Sequence, residues 1–416
     1  MKKSTKTAAL LFGTLAMFAT ACSSSKKAAD TTAAKAADTT AAKAADTTAA
    51  KAADTTAAKA ADTTAAKAAA ATTAAAAAAE TTAAAAAAAG GGGKAGFILP
   101  DSKSSVRWEA FDRPMIDAAC KAAGITCDIQ NAEGDKAKMA TIADQMITSG
   151  VKVLAIVDLD SESGAAIQKK AAAAGVKNID YDRLTLGGAA DVYVSFDNVA
   201  VGKAQGEGII KCLAGKKPAS IIQLSGSPTD NNATLFKQGQ DEAIKAAVGA
   251  GDIKVVASQA VPDWDNVKGG QIFEQLLTKA GGKIDGVLAA NDGLSLAAQA
   301  VLTKNGLTLP ATGQDATKDG LAAILNGTQC MTVYKPVKAE AEGAVKAAAA
   351  LLAGTDLKTI ANATINNKTA DIPYLQASIT AIYKDNVKDV VADGFVTKAD
   401  LCVGDLAAKC TAAGIA

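Results

Sequence analysis

The side chains with the most chemistry to offer stand just past short apolar runs. After Leu99 come Pro100-Asp101 and then Arg107-Trp108; after Ile179 come Tyr181-Asp182-Arg183; after Leu224 comes a polar loop that runs through Asp230 to Asn232. Further along, Trp264 sits between Pro262-Asp263 and Asp265-Asn266, Asn291 follows Ala289-Ala290, Asp315 lies in Gly313-Gln-Asp-Ala and Lys335 in Val333-Tyr-Lys-Pro. Such a set suits a neutral polyol. Carboxylates and amides accept its hydroxyl protons, Arg and Lys donate to its oxygens, and a flat indole covers the apolar face of a ring. Trp108 and Trp264 are the only tryptophans, and both fall in such loops. Singly, each residue has an ordinary explanation: Asp182-Arg183 a solvated ion pair, Asp230 a helix N-cap, Lys335 an exposed strand end, either indole a core residue. Together, at successive strand ends, they argue for one site.

The elements that must position them alternate. Gly96–Leu99, Thr126–Ile129, Val153–Val157 and Asn178–Tyr181 read as strands, and the apolar periodicity of Arg113–Ala123 and Lys136–Thr148 predicts helices between them. A second series follows Phe196: Ser220–Leu224, Ile253–Ala257, Gly286–Ala290 and, less regularly, the Gly313-Gln-Asp segment. Repeated βαβ units pair their strands in parallel with helices on both faces, and ligands then sit at the carboxyl ends of the strands. The stretch from Lys94 to Ala416 is long for one core and comfortable for two lobes.

Composition narrows the chemistry. A formal net charge of +1 offers no strongly basic surface for phosphates, so a nucleic-acid partner is not expected. The chain has no histidine, which removes the commonest general base and the commonest metal ligand. No cofactor is called for. Paired carboxylates such as Asp182 and Asp230 could serve a glycosidase with one of them protonated, but their Arg and Asn companions suit ionised acceptors, and no enzyme activity is expected. Of the seven cysteines, Cys120, Cys127, Cys212, Cys330, Cys402 and Cys410 form an even set. Six cysteines allow 15 pairings; Cys120 with Cys127 and Cys402 with Cys410 would close short loops, leaving Cys212 with Cys330. No spacing shows the paired C-x-x-C knuckles of a structural zinc site, so no metal is expected.

The N-terminus reads as an export signal: Lys2-Lys3, an apolar run from Ala8 to Phe18, then Ala19-Thr20-Ala21-Cys22. Residues 1–21 are expected to be removed. The sequence at the cut resembles a bacterial lipobox, which implies lipidation of Cys22, with ordinary secretion and a free Cys22 thiol as the alternative. Residues 22–94 then form a tether built on five Ala-Ala-Asp-Thr-Thr-Ala-Ala-Lys octads from Ala28 to Lys67 and ending in Gly90–Gly93. With no side chain large enough for a core, such a segment spaces rather than folds, and its Thr pairs are possible sites for O-linked sugars. The expected location is extracytoplasmic, in the periplasm or on the outer face of the cell membrane.

From Gly96 to Val396 the chain resembles the periplasmic D-xylose-binding proteins of bacterial ABC importers, within the ribose/galactose-type sugar-binding family. The motifs that carry this are Tyr181-Asp-Arg, Tyr193-Val-Ser-Phe-Asp-Asn198, Gly226-Ser-Pro-Thr-Asp-Asn-Asn-Ala233, Asn291-Asp, Gly313-Gln-Asp-Ala and Met331-Thr-Val-Tyr-Lys-Pro336. The resemblance implies a type I periplasmic binding protein fold, α/β, with two doubly wound parallel-sheet lobes and a three-strand hinge. Residues 95–194 with 336–372 would form the first lobe, 195–335 with 373–401 the second, and 402–416 a tail; the crossings fall near Val194–Asp197, Tyr334–Pro336 and Pro373–Gln376. It also implies that Arg107, Asp182, Arg183, Asp230, Asn232, Asn291, Asp315 and Lys335 hydrogen-bond a monosaccharide, D-xylose first, while Trp108 and Trp264 sandwich it. Asn198 lies where the family shapes its hinge and is left out of the site. The implied partners are an ABC permease and, through the lipid, a membrane, with the protein acting as a monomer. A sugar sensor serving a chemoreceptor or kinase, or a site for glucose or ribose, is the alternative. A transcription factor of this fold would need a helix-turn-helix ahead of Gly96, which the tether cannot supply.

Overall fold

The computed structural model describes residues 93–415. The signal segment, the Cys22 lipidation site and the tether up to residue 92 lie outside the described residues. Twelve strands are present among the described residues: β1 (Lys94–Leu99), β2 (Thr126–Asn131), β3 (Val153–Ile156), β4 (Lys177–Tyr181), β5 (Val192–Phe196), β6 (Ala219–Ser225), β7 (Ile253–Ala260), β8 (Gly286–Ala289), β9 (Thr332–Tyr334), β10 (Ala363–Asn366), β11 (Asp371–Ala377) and β12 (Thr380–Ile382). The first sheet runs β10-β11-β5-β4-β3-β1-β2 and is parallel except for the β10–β11 edge. The second runs β7-β6-β8, parallel throughout, and β9 pairs with β12 as a separate antiparallel ribbon.

Strand alternation places helices on both faces of the first sheet. Phe97, Leu99, Val153 and Ala155 pack with Ile116 and with Ala341, Ala344 and Ala348 on one side, while Ile98, Leu154 and Ile156 pack with Met139, Ile142 and Met146 on the other. The helices Arg113–Ala123 and Lys136–Thr148 span the residues that the periodicity predicts. Local signals explain this. Gly124, at φ 67°, ends the first, and the Asp135 carboxylate accepts from the Ala137 and Lys138 amides at the start of the second.

Three expectations need correction. The strand Asp371–Ala377, which the expected boundary at 372/373 divides between the lobes, lies wholly in the first sheet. It is registered Tyr374↔Tyr193 and Ala377↔Phe196, with the Tyr193 and Tyr374 rings stacked at 4.6 Å, so the third crossing falls between Ala377 and Thr380. The Gly313-Gln-Asp segment is no strand, because Asp315 and Ala316 take φ of 92° and 48°. It nonetheless fills the space between β8 and β9: Val287 and Ala311 form a bridge, and the Asp315 amide donates to the Val333 carbonyl at 2.9 Å. Finally, residues 402–415 are no detached tail, since Cys410 and Ile415 are buried with Leu321, Ile324 and Leu325 of the second lobe. The three disulfides are Cys120–Cys127, Cys212–Cys330 and Cys402–Cys410.

Candidate functional site

Between the lobes, at the carboxyl ends of both sheets, lies a small polar cavity. All ten residues singled out in the sequence line it: Arg107, Trp108, Asp182 and Arg183 from the first lobe; Asp230, Asn232, Trp264, Asn291 and Asp315 from the second; and Lys335 at the crossing. None of these charged groups is the exposed ion its type would suggest: Lys335 is 4 % exposed and Asp315 6 %.

Arg107 is the centre of the first face. Its Nε and Nη2 donate to Asp112 at 2.9 and 2.7 Å, Nη1 to Asp182 at 2.8 Å and Nη2 to Glu340 at 2.5 Å. Four of the five N–H donors of a guanidinium are therefore engaged by the protein, and one is left for a ligand. Trp108 lies beside this guanidinium, 4.4 Å from it to the ring centroid, and its Nε1 donates to the Ser104 hydroxyl, which in turn donates to Asp101. The turn that carries Trp108 is a π-helix, Trp108–Asp112, a rare geometry frequent at functional sites.

The second face is held as firmly. Asp230 caps the helix Asn231–Gly249 through the Asn232 amide at 2.9 Å, and its other oxygen accepts Trp264 Nε1 at 3.0 Å, so the N-cap role and the cavity role coexist. Gly226 makes room for that indole, because a Cβ there would lie 2.0 Å from the Trp264 ring. Trp264 also belongs to the second lobe's core, meeting the edge of Phe236 at 6.3 Å. Asn291 caps its own helix through the Leu294 amide at 2.9 Å. Asp182, Trp264 and Asp315 all sit at positive φ, 60°, 54° and 92°, a strain that non-glycine residues tolerate where the surroundings enforce it.

The two faces meet. Asn232 Nδ2 donates to the Asp182 carbonyl at 2.8 Å, Arg183 Nε stands 3.1 Å from Asp230, and Lys335 Nζ stands 3.3 Å from Asp315 Oδ1 and 3.9 Å from Asp182. The Arg183–Asp230 and Lys335–Asp315 contacts are close without the alignment of hydrogen bonds, leaving Arg183 Nε and Asp315 Oδ1 buried and without a hydrogen bond, as is Gln314 Oε1. Gln314 Oε1 has no protein partner, and Arg183 Nε and Asp315 Oδ1 meet theirs only as ion pairs, so all three keep hydrogen-bonding capacity for a ligand. Asn232, by contrast, is largely engaged as a clasp. Its Oδ1 accepts from Asn198 at 2.9 Å and from Tyr193 at 3.2 Å, which gives Asn198, outside the cavity lining, the task of orienting it.

Electrostatics sort the carboxyls. Burial pushes Asp182 up, but Arg107, Lys335 and Arg183 together hold it below the usual carboxylate value, an ionised acceptor. Burial raises Asp230 against the pull of Arg183. Behind Arg107, burial pushes Glu340 well above its usual range despite Arg107, with Asp182 and Asp112 adding to the rise. Glu340 is thus the carboxyl of this cluster whose charge burial opposes most, and its contact with Arg107 Nη2 at 2.5 Å offsets part of that cost.

Four lining residues escape the sequence reading: Ser104, Ser105, Phe236 and Gln314. Phe236 had a usable signal, since it stands four residues after Asn232 on one helix and so on the same face. Gln314 had none, because an extended run would turn it away from the side that Asp315 faces, and only the positive φ at Asp315 brings both to the cavity.

Two parallel-sheet lobes, crossed three times by the chain and holding a polar cleft between their strand ends, define a two-lobed small-molecule-binding protein of the type I periplasmic fold. The chain belongs to the periplasmic binding protein domain family, whose model matches residues 95–356. It is 35% identical to the D-xylose-binding periplasmic protein of Haemophilus influenzae over 73% of this chain and 91% of that one. It is 32% identical to the multiple sugar-binding periplasmic receptor ChvE of Rhizobium radiobacter, over 74% and 92%. Among solved structures, a carbohydrate transporter solute-binding protein from Chloroflexus aurantiacus in complex with D-glucose superposes with a TM-score of 0.68 at 29% identity, covering 74% of this chain and 97% of that one.

Proposed function

We propose that this chain is an exported, Cys22-anchored substrate-binding lipoprotein of an ABC sugar importer, which takes up one monosaccharide, D-xylose first, and closes on it for delivery to a permease. The observation that carries this reading is the trio of buried polar atoms without a hydrogen bond, Arg183 Nε, Gln314 Oε1 and Asp315 Oδ1, in a cavity that two indoles line, one from each lobe. One donor and two acceptors beside two aromatic faces match a pyranose, which alternates hydroxyls around its rim and exposes C–H bonds on its faces. In this reading Asp182, Asp230 and Asp315 accept hydroxyl protons, Arg107, Arg183, Asn291 and Lys335 donate, Trp108 and Trp264 sandwich the ring, and Asn232 ties the lobes together. A ligand that touches both faces only when they meet has the differential affinity that closure requires. The tether from residue 22 to 94 keeps the lobes near the membrane and raises their effective concentration at the permease. A sensory role for the same binding event is the second reading, favoured by a relative named as a receptor.

The test is intrinsic tryptophan fluorescence during titration with D-xylose, D-glucose, D-ribose and L-arabinose. A saturable change, strongest for D-xylose and lost in Asp315→Ala and Arg183→Ala, supports the reading. A larger response to another of the four moves the ligand assignment to that sugar, and silence with all four refutes it.

A further inference from the structure

The turn that presents Arg107 and Trp108 to the cavity also carries Phe111, which faces a different neighbour. The Phe111 ring stacks on Phe395, centroids 4.3 Å apart with the planes at 24°. Phe395 in turn lies 5.2 Å from the ring of Tyr334, the residue before Lys335, and the Tyr334 hydroxyl donates to the Asp393 carboxylate. Phe395 is 6 % exposed and sits in the C-terminal segment, whose Val387, Val390, Leu401 and Ile415 pack with Leu321 and Ile324 of the second lobe. The Cys402–Cys410 disulfide closes within this same cap. Phe111 belongs to the first lobe, since the turn Trp108–Asp112 continues directly into the helix Arg113–Ala123, whose Ile116 and Cys120 are part of that lobe's core. The stack is therefore a contact between lobes, outside the ligand cavity, that joins the element bearing Arg107 and Trp108 to the strand that leads to Lys335.

We propose that the Phe111–Phe395 stack is an interlobe latch: the C-terminal cap of the second lobe grips the first lobe's π-turn, favours the closed arrangement and so sets ligand affinity. Phe395 is then a positioning residue that acts on ligand through Phe111 and Tyr334. When only the closed arrangement binds fully, affinity scales with the closed population, and a contact made only on closure appears directly in the dissociation constant. The contact and its hydrogen-exchange readout stand apart from the sugar assignment, which supplies only the ligand probe.

The test is a double-mutant cycle on the full chain with Phe111→Leu, Phe395→Leu and the pair. D-Xylose affinity is measured by calorimetry, and amide hydrogen exchange is measured without sugar. An aromatic pair of this geometry predicts a threefold to tenfold weaker affinity in each single variant and a double variant no weaker than the weaker single. Exchange should quicken in the facing cleft loops, residues 101–112 and 226–232, while β3 is unchanged. Affinities that match the parent, or losses that simply multiply in the double variant, overturn the latch. So does faster exchange confined to residues 387–412, which would mark a cap that only holds itself together. If the parent binds no sugar, the cleft-loop exchange decides the latch alone and the failure belongs to the functional reading.

Discussion

At Asp315 a carboxylate is buried at a positive φ, with Oδ1 3.3 Å from the Lys335 ammonium but in no hydrogen bond. Its charge is balanced and the oxygen is still free to accept a hydrogen bond from a ligand. Asp315→Asn keeps the shape but gives up the charge, and a hydrogen bond to a charged group is worth about 1.5–3 kcal/mol, so affinity for the cognate sugar should fall on the order of tenfold to a hundredfold, as read by calorimetry. Gly226→Ala acts by shape alone: a Cβ 2.0 Å from the Trp264 ring must push the indole out of its seat. The expected result is a loss of sugar affinity of at least tenfold and a shifted tryptophan emission maximum in the free protein, and an unchanged emission spectrum would show that the seat tolerates the methyl. The residue types of this site were legible because polar side chains past apolar runs are a local pattern. Their strained backbones were not, since Asp182, Trp264 and Asp315 have no glycine to announce φ above zero.

Elements show the same division between local and distant causes. The helices Arg113–Ala123 and Lys136–Thr148 could be read because periodicity, a capping Asp135 and a terminating Gly124 all lie within them or next to them. The lobe to which Asp371–Ala377 belongs could not be read, because that depends on Tyr374 finding Tyr193, far away in the chain. Beneath the cavity, at the start of the helix Asp292–Lys304, Asp292 is fully buried and accepts from Gln329, Thr332 and Thr317; burial, with Asp315 adding, raises its carboxyl to about 7. The folded chain thus holds a proton that the unfolded chain, titrating at about 3.9, releases. The stability this gives is full below about pH 4 and is lost as the pH rises through about 7. The melting temperature of Asp292→Asn should therefore fall less than the parent's between about pH 5 and 8, and parallel curves would show that Asp292 is ionised in the folded state throughout. Disulfides act at this scale too. Cys212–Cys330 spans 118 residues and Cys120–Cys127 only 7, so loop-closure entropy predicts a loss of about 5 kcal/mol for the Cys212→Ala/Cys330→Ala pair against about 2–3 for Cys120→Ala/Cys127→Ala, checked by denaturant unfolding.

For the molecule as a whole, the lobes matter because each supplies half of a site that neither holds alone. Arg183 meets Asp230, Asn232 meets Asp182 and Lys335 stands between Asp182 and Asp315, so these polar contacts tie the two faces of the cavity together. The two-lobed plan was legible from the repeated βαβ series and the number of residues available. The way the last segment closes it was not, because the apolar residues of 387–415 show their purpose only against the helix Lys318–Asn326 and against Phe111. The most direct measurement is hydrogen exchange of the full chain with increasing D-xylose, followed at once in the loops around Arg107 and Asp182 on one face and Asp230, Trp264 and Asp315 on the other. Protection that rises on both faces and saturates at the same sugar concentration is the result predicted for a ligand clasped between lobes. Protection of one face only, or of neither, would contradict it.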